Sequence, residues 1–235
     1  MKRVNGWYMP DYDSHYHTVM QIDPNTKQYE YQQNKRNIAL EYVKSWDCAL
    51  DIGGNIGFWA RDFCKKFNHV IAWEPLPVNA ECFIKNLEGH TNWILHQEAL
   101  SNEGKPSQSF YYSKDESGNA SLDATGVMEG NSVRKLTRDH LIEVKVPVKT
   151  LDDYFEQLKN LRVGFLKVDS QGHEKEIIKG GLKVIGHHNM VINLELPTRN
   201  TVEKEYHEEV CYILKKNANY VKVRQIGKET IFTRS

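Results

Sequence analysis

Cysteine is scarce in this chain of 235 residues: there are four, Cys48, Cys64, Cys82 and Cys211, each alone and none in a CxxC pair. That spacing excludes a zinc knuckle and a disulfide framework, and buried free thiols are expected instead. Long apolar runs are missing as well. No stretch approaches the roughly 18 apolar residues that span a bilayer, and the opening "MKRVNGWYMPDYDSHYH" lacks the apolar centre of a secretion signal. A cytoplasmic protein with no membrane partner is expected. Charge of one sign is absent too, since 31 Lys and Arg balance 31 Asp and Glu. No global field therefore draws the chain to nucleic acid, and only a local basic patch would do so. With 40% hydrophobic and 26% charged residues, the composition is that of an ordinary globular protein. Its length suits one α/β domain with an appendage better than two small domains.

What is present is alternation. From Cys48 onward, short apolar runs at 48–52, 69–74, 92–97, 163–169 and 190–196 are interleaved with helix-length segments. The runs are brief and β-branched or aromatic, as in buried parallel strands. Segment 55–67 sets Ile56, Trp59, Ala60 and Phe63 at helical spacing, and 77–88 does so with Val78, Cys82 and Leu87 after Pro77. Segment 173–184 continues the series. This order predicts an α/β fold with a mostly parallel, doubly wound sheet, whose ligands lie beyond the carboxyl ends of the strands. The last stretch, 220–235, alternates on both sides of "IGKE" and predicts a C-terminal antiparallel hairpin. Residues 1–44, with a helix at 34–45, read as an N-terminal cap segment on a domain covering 45–235. Residues 98–148 read as an inserted, lid-like region of polar loops around the strand-like "SQSFYYS".

The stretch "ALDIGGNIGFWA" at 49–60 ends a strand on Asp51 and breaks into Gly53, Gly54, Asn55 and Gly57. A dinucleotide fold uses GxGxxG so that its backbone can approach a pyrophosphate. Counted from Gly53, Asn55 and Phe58 stand where the second and third glycines belong. An acid before the turn repels a pyrophosphate and suits a cation. A second acid, Glu74, ends the next strand, is held extended by Pro75, and can take both hydroxyls of a ribose. A ligand with a ribose, a positive end and no phosphate meets these conditions, and S-adenosylmethionine is one.

The chain here resembles the FkbM-type methyltransferases of the class I, Rossmann-like methyltransferase fold. The matching stretches, in order, are "ALDIGGNIGFWA", "AWEPLPVNAECFIKNL", "HQEALSNEG", "VPVKTLDDYF" and "GFLKVDSQGHEKEIIKGG". The resemblance implies S-adenosyl-L-methionine as cofactor and adds Glu98, Ala99 and Leu100 as contacts to its adenine. It also draws attention to Asp169-Ser170-Gln171-Gly172-His173-Glu174, where the family usually has an acid in place of Gln171. The N-terminal "NGWYMPDYDSHYH" is similar to a phage and environmental branch, which would place the protein in a host cytoplasm.

Asp169 closes its strand, and the helix after Gly172 is expected to present His173 and Glu174 to the transferred methyl. An acceptor hydroxyl becomes a better nucleophile when a base removes its proton, and His173 has a suitable ordinary pKa. The expected reaction is O-methylation of a carbohydrate or small metabolite. A nucleic-acid or protein methyltransferase and a catalytically silent cofactor-binding module are the alternatives, although the chain has no Asp-Pro-Pro-Tyr or Asn-Pro-Pro-Tyr tetrad. Glu195, at the next strand end, is a candidate to hold a substrate hydroxyl or, with Asp169, a divalent cation; no metal set is assigned. His15 and His17 are lesser candidates. Arg134, Lys135 and Arg138 would dock an anionic acceptor or simply form a solvated face. A homo-oligomer is left open.

Overall fold

The computed structural model describes residues 1–113, 115–130 and 137–235. Its centre is a seven-stranded sheet of β1 (Cys48–Ile52), β2 (His69–Trp73), β3 (Trp93–His96), β4 (Val163–Val168), β5 (Val191–Glu195), β6 (Tyr220–Ile226) and β7 (Glu229–Arg234). The spatial order is β6-β7-β5-β4-β1-β2-β3. All neighbours from β5 to β3 pair in parallel, while β7 runs antiparallel to both β5 and β6. This is the α/β, Rossmann-like sheet with a C-terminal antiparallel hairpin that the sequence predicts. Every residue of β1 and β4 is buried, as expected for central strands covered on both faces.

Two apolar layers enclose the sheet. On one face Trp59, Phe63, Phe83 and Phe165 pack together. On the other Leu166, Ile178, Ile185, Leu214 and Phe232 do so. The helices differ from expectation mainly at their ends. The first, Phe58–Phe63, starts later than 55 because Asn55 and Gly57 have φ of 49° and 92°, which hold a turn open before it. The segment 173–184 forms two helices, Glu174–Lys179 and Leu182–His187, broken at Gly180-Gly181. A Cβ on Gly180 would lie 2.0 Å from the Ser101 carbonyl oxygen, so close backbone approach explains the break. Cys48, Cys64 and Cys82 are buried and Cys211 half-buried, all as free thiols. Among the described residues no helix is long and apolar enough to cross a membrane.

The region expected as polar loops holds a second sheet. Lys105–Ser113 pairs antiparallel with Leu141–Lys149 and with Ala120–Ser121, and Leu141–Lys149 also runs parallel to Ala99–Leu100. Phe110, Val146 and Val148 are its buried contribution, packed with Leu76 and Leu122. Alternation there is diluted by Ser, Gln and Lys on the open face, which is why the strands read weakly. The first 44 residues form two small hairpins, Lys2–Val4 with Trp7–Met9 and Gln21–Ile22 with Tyr29–Glu30, and two helices, Tyr16–Val19 and Gln33–Leu40. Arg36, 1% exposed, pairs with Glu30 of the same segment at 3.2 Å and ties the segment to the helix Phe58–Phe63 through Asp62 at 3.0 Å.

Candidate active site

A cavity of about 790 Å³ opens at the carboxyl ends of β1, β2, β4 and β5. One end is built around Glu74. The strand stops there because Pro75 follows, and the carboxylate turns onto its own loop. Its Oε2 accepts from the Asn55 backbone N–H at 2.8 Å, and its Oε1 accepts from Leu76 N–H at 3.0 Å and Asn79 Nδ2 at 3.3 Å. Glu74 is 4% exposed, and burial pushes its pKa up to about 7 against those three donors. Asn55 and Asn79 also donate to the Ser117 carbonyl, each at 3.1 Å. Ser117 in turn gives its N–H and Oγ–H to Asp13 Oδ2 at 2.8 and 2.7 Å. The N-terminal segment, the insert and the glycine turn are thereby strapped together at this end. Gly53, Gly54, Pro75, Glu98, Ala99 and Leu100 complete the wall.

Two residues of the glycine motif lie behind the wall. Asp51 is fully buried and faces Lys167, whose Nζ is 3.2 Å from Oδ1. The same ammonium donates to the Gly53 carbonyl at 2.8 Å and stands 3.8 Å from Asp169 Oδ2. Burial pulls Lys167 down, but Asp51 and Asp169 more than offset it, so its pKa lies above the usual lysine value. The cation that Asp51 holds is thus the chain's own. Gly57 is closed off by helix Pro77–Asn86, where a Cβ would lie 2.6 Å from Leu87. Lys167 escaped the sequence reading, although a lone lysine inside the apolar run "VGFLKVD" is a usable signal.

The other end gathers Asp169, Gln171, Glu195, Lys228 and Lys35. Gln171 and Gly172 have φ of 52° and 93°, which throws the chain outward after β4 and lets Gln171 Nε2 donate to Asp169 Oδ1 at 2.9 Å. Lys228 Nζ lies 3.0 Å from Glu195 Oε1. Tyr16, Tyr31, Phe58 and Trp59 supply aromatic wall beside these charges, and none of the four was singled out from sequence as a site residue. His15 also lines the cavity, with Nε2 3.5 Å from Glu116 Oε1.

His173 lines the cavity, and its Nε2 is 2.9 Å from Ser101 Oγ, which ties the ring to the segment after Leu100. Burial lowers its pKa below the ordinary histidine value. Glu174 does not reach the cavity, contrary to the sequence expectation. It is 1% exposed, and its Oε1 accepts from Ser170 N–H at 2.9 Å and Ser170 Oγ–H at 3.0 Å, so it closes the loop that carries Asp169. Arg138 sits in a short 3-10 turn, Arg138–His140, away from the lining residues. Arg134 and Lys135 lie outside the described residues. Among the described residues no group of three His, Cys, Asp or Glu is placed to hold a metal ion.

Comparison with known proteins places this arrangement. The family model for the methyltransferase FkbM domain matches residues 51–222, well over half of the chain. The curated protein Methyltransferase 1 of Beauveria bassiana (strain ARSEF 2860) is 31% identical over 144 residues, which cover 56% of this chain and 57% of that protein. The match thus spans little more than half of the relative's length. Among solved structures, a methyltransferase FkbM from Methylobacillus flagellatus KT aligns over 80% of this chain and 43% of that one, at 15% identity and a TM-score of 0.50. That likeness is one of fold.

Proposed function

The chain belongs to the FkbM methyltransferase family, and from that premise we propose that it transfers the methyl group of S-adenosylmethionine to a hydroxyl of a carbohydrate or small metabolite. The residues at the Glu74 end fit the cofactor. Each carboxylate oxygen can accept twice, and Glu74 Oε2 takes only the Asn55 N–H among the described donors, which leaves it an acceptor position for a ribose hydroxyl. Ala99, Leu100 and Ile177 offer apolar surface for a flat base. When bound, the cofactor would supply a methyl group on a sulfonium, whose sulfur would keep the S–C electron pair as the acceptor oxygen took the methyl.

The observation that supports a hydroxyl acceptor is the composition of the opposite end. Carboxylates (Asp169, Glu195), ammonium groups (Lys35, Lys228) and amides (Gln32, Gln171) alternate there beside four aromatic rings. A hydroxyl both donates and accepts, so such a wall can satisfy several hydroxyls on one molecule at once, while ring faces suit the C–H faces of a sugar. Mixed charge of this kind is poor for a polyanion, because every lysine has an acid within reach.

Calorimetry with S-adenosylhomocysteine and with NAD tests the cofactor side: micromolar binding of the first and none of the second is expected. Tight NAD binding alone would end the reading. Methyl transfer from labelled S-adenosylmethionine, across glycosides, phenols, peptides and oligonucleotides, tests the acceptor side. Label entering peptide or oligonucleotide and no hydroxyl compound would replace it with the corresponding rival.

A further inference from the structure

The C-terminal hairpin places two acids side by side against the cavity. Glu195, the last residue of β5, and Glu229, the first of β7, are cross-strand partners in the antiparallel register. Like charges directly opposite in a sheet repel, so this pairing is costly unless each acid is separately compensated. Glu229 has two partners of its own: Asn193 Nδ2 donates to it at 2.8 Å and Lys35 Nζ lies 3.3 Å away, although burial, at 3% exposure, still holds its pKa above the usual value. Glu195 has Lys228, on the turn between β6 and β7. That turn is locked to the end of β5 by the Leu196 N–H donating to the Lys228 carbonyl at 2.7 Å. Of the pair only Glu195 lines the cavity, beside Asp169 at the end of the neighbouring strand.

We propose that Glu195 is the general base for the acceptor hydroxyl and that Lys228 and Glu229 are positioning residues that set its basicity. This rests on the methyl-transfer reading above. The acceptor O–H bond breaks with its electron pair kept on oxygen, that pair forms the new O–C bond, and the proton goes to Oε2 of Glu195, the oxygen Lys228 does not hold. Afterwards the proton passes to solvent, restoring the carboxylate. The charged and titratable groups facing Glu195 are Asp169 from the end of β4, Glu229 from β7, Lys228 from the turn, Tyr31 from the segment before helix Gln33–Leu40, and Lys35, through Glu229, from that helix. Burial first, then Asp169 and Glu229, push its pKa up to about 8 against Lys228. A base is most effective when its pKa lies near the working pH. His173, by contrast, is held by Ser101 and lowered by burial.

The test uses the full chain and three variants. Glu195→Gln should bind S-adenosylhomocysteine within about twofold of the parent and lose methyl transfer to the hydroxyl acceptor by about 10²–10⁴-fold. The rising limb of the parent's pH–rate profile near pH 8 should disappear with it. Lys228→Met should move that limb to higher pH, and Glu229→Gln should move it lower. In protein carrying ¹³C at the glutamate carboxyls, the resonance that vanishes in Glu195→Gln should titrate near the same pH, whether or not an acceptor is present. A parental rate in Glu195→Gln, or titration of that resonance in the ordinary carboxylate range, overturns the inference alone. A limb that survives Glu195→Gln and vanishes in His173→Ala gives the role to His173. A chain that binds S-adenosylhomocysteine yet methylates no hydroxyl compound overturns the hydroxyl reading and this inference with it, and one that binds none overturns the cofactor reading first.

Discussion

The two ends of the cavity are built on opposite principles. At the Glu74 end most polar groups are partnered by the chain: Glu74 has three internal donors and keeps one acceptor position on Oε2, and the Ser117 carbonyl and Asp13 carboxylate tie the insert and the N-terminal segment down over it. At the Glu195 end the same residue types are left in reach of a visitor, with side-chain exposures of 12% for Glu195, 20% for Asp169 and 31–36% for Lys35 and Lys228. A pre-satisfied wall binds one fixed ligand at little cost in ordering. A wall of part-exposed, mutually paired charges can exchange its internal pairs for substrate hydroxyls. The difference suits a constant cofactor at the first end and a variable acceptor at the second.

Lys167 lies between the two ends and serves Asp51, Gly53 and Asp169 together. Lys167→Met should cost about 3–5 kcal/mol, because Asp51 is then a buried carboxylate with no counter-charge. Urea denaturation at pH 8 measures it. The loss should shrink as pH falls, since burial already pushes Asp51 upward and an isolated Asp51 can then take a proton. An unchanged midpoint would mean that Lys167 compensates nothing.

Smaller, and confined to one end, is Glu74→Gln. It should weaken S-adenosylhomocysteine binding by about 1–3 kcal/mol, since a carboxylate acceptor for the ribose becomes half an amide donor. Glu74→Ala should lower affinity and also stability, because Asn55 N–H, Leu76 N–H and Asn79 Nδ2 all lose their acceptor. If Glu74→Gln binds like the parent while Glu195→Gln does not, the two ends have been assigned the wrong way round.

The pH dependence of stability sharpens the contrast further. Burial first raises Glu74 and Glu174 to about 7 and Glu195 to about 8, from an ordinary value of 4.5. The unfolded chain has lost these protons by pH 6, while the folded chain still holds them. Their contribution is therefore full only below the ordinary value of 4.5, shrinks as pH rises above it, and is gone once pH has passed through 7 and 8. Cys48, Cys64 and Cys82 are raised by burial as well and act in the same direction above them. The melting temperature should fall from pH 7 to pH 9, and Glu195→Gln should flatten the slope. A melting temperature that rises over this interval would contradict the burial of these acids.

Much of the sheet was legible because its signal is short-range: each apolar run from 48–52 to 190–196 lies within a residue or two of a strand. The hairpin at 220–235 announced itself through "IGKE". What stayed hidden depends on pairing between distant segments. Lys167 stands in an apolar strand, and only the neighbouring strand shows that Asp51 neutralises it. Glu174 belongs to the expected motif, yet two residues of positive φ before it direct its carboxylate back to Ser170. The second sheet was obscured because its outer face is polar, and the aromatic wall because Tyr16 and Tyr31 come from a segment without regular alternation.

Charge and shape can be told apart at Gln171. The Gln171 amide donates to Asp169 Oδ1 at 2.9 Å. In Gln171→Glu the ionised side chain can only accept, so two carboxylates would face each other beside Glu195 at the substrate end. The exchange of one hydrogen bond for a repulsion at a part-exposed site is worth about 0.5–1.5 kcal/mol, or a rate loss of roughly 2- to 12-fold. The loss should be greatest above pH 8 and should fade toward pH 5, where the introduced carboxyl takes up a proton and can again donate to Asp169. Cofactor affinity, which the proposed reading assigns to the Glu74 end, should not move. The ratio of variant to parental rate across pH is the measurement. A ratio that stays flat would show that Gln171 acts through its φ of 52° and the path of the loop, with no part for the charge at that position.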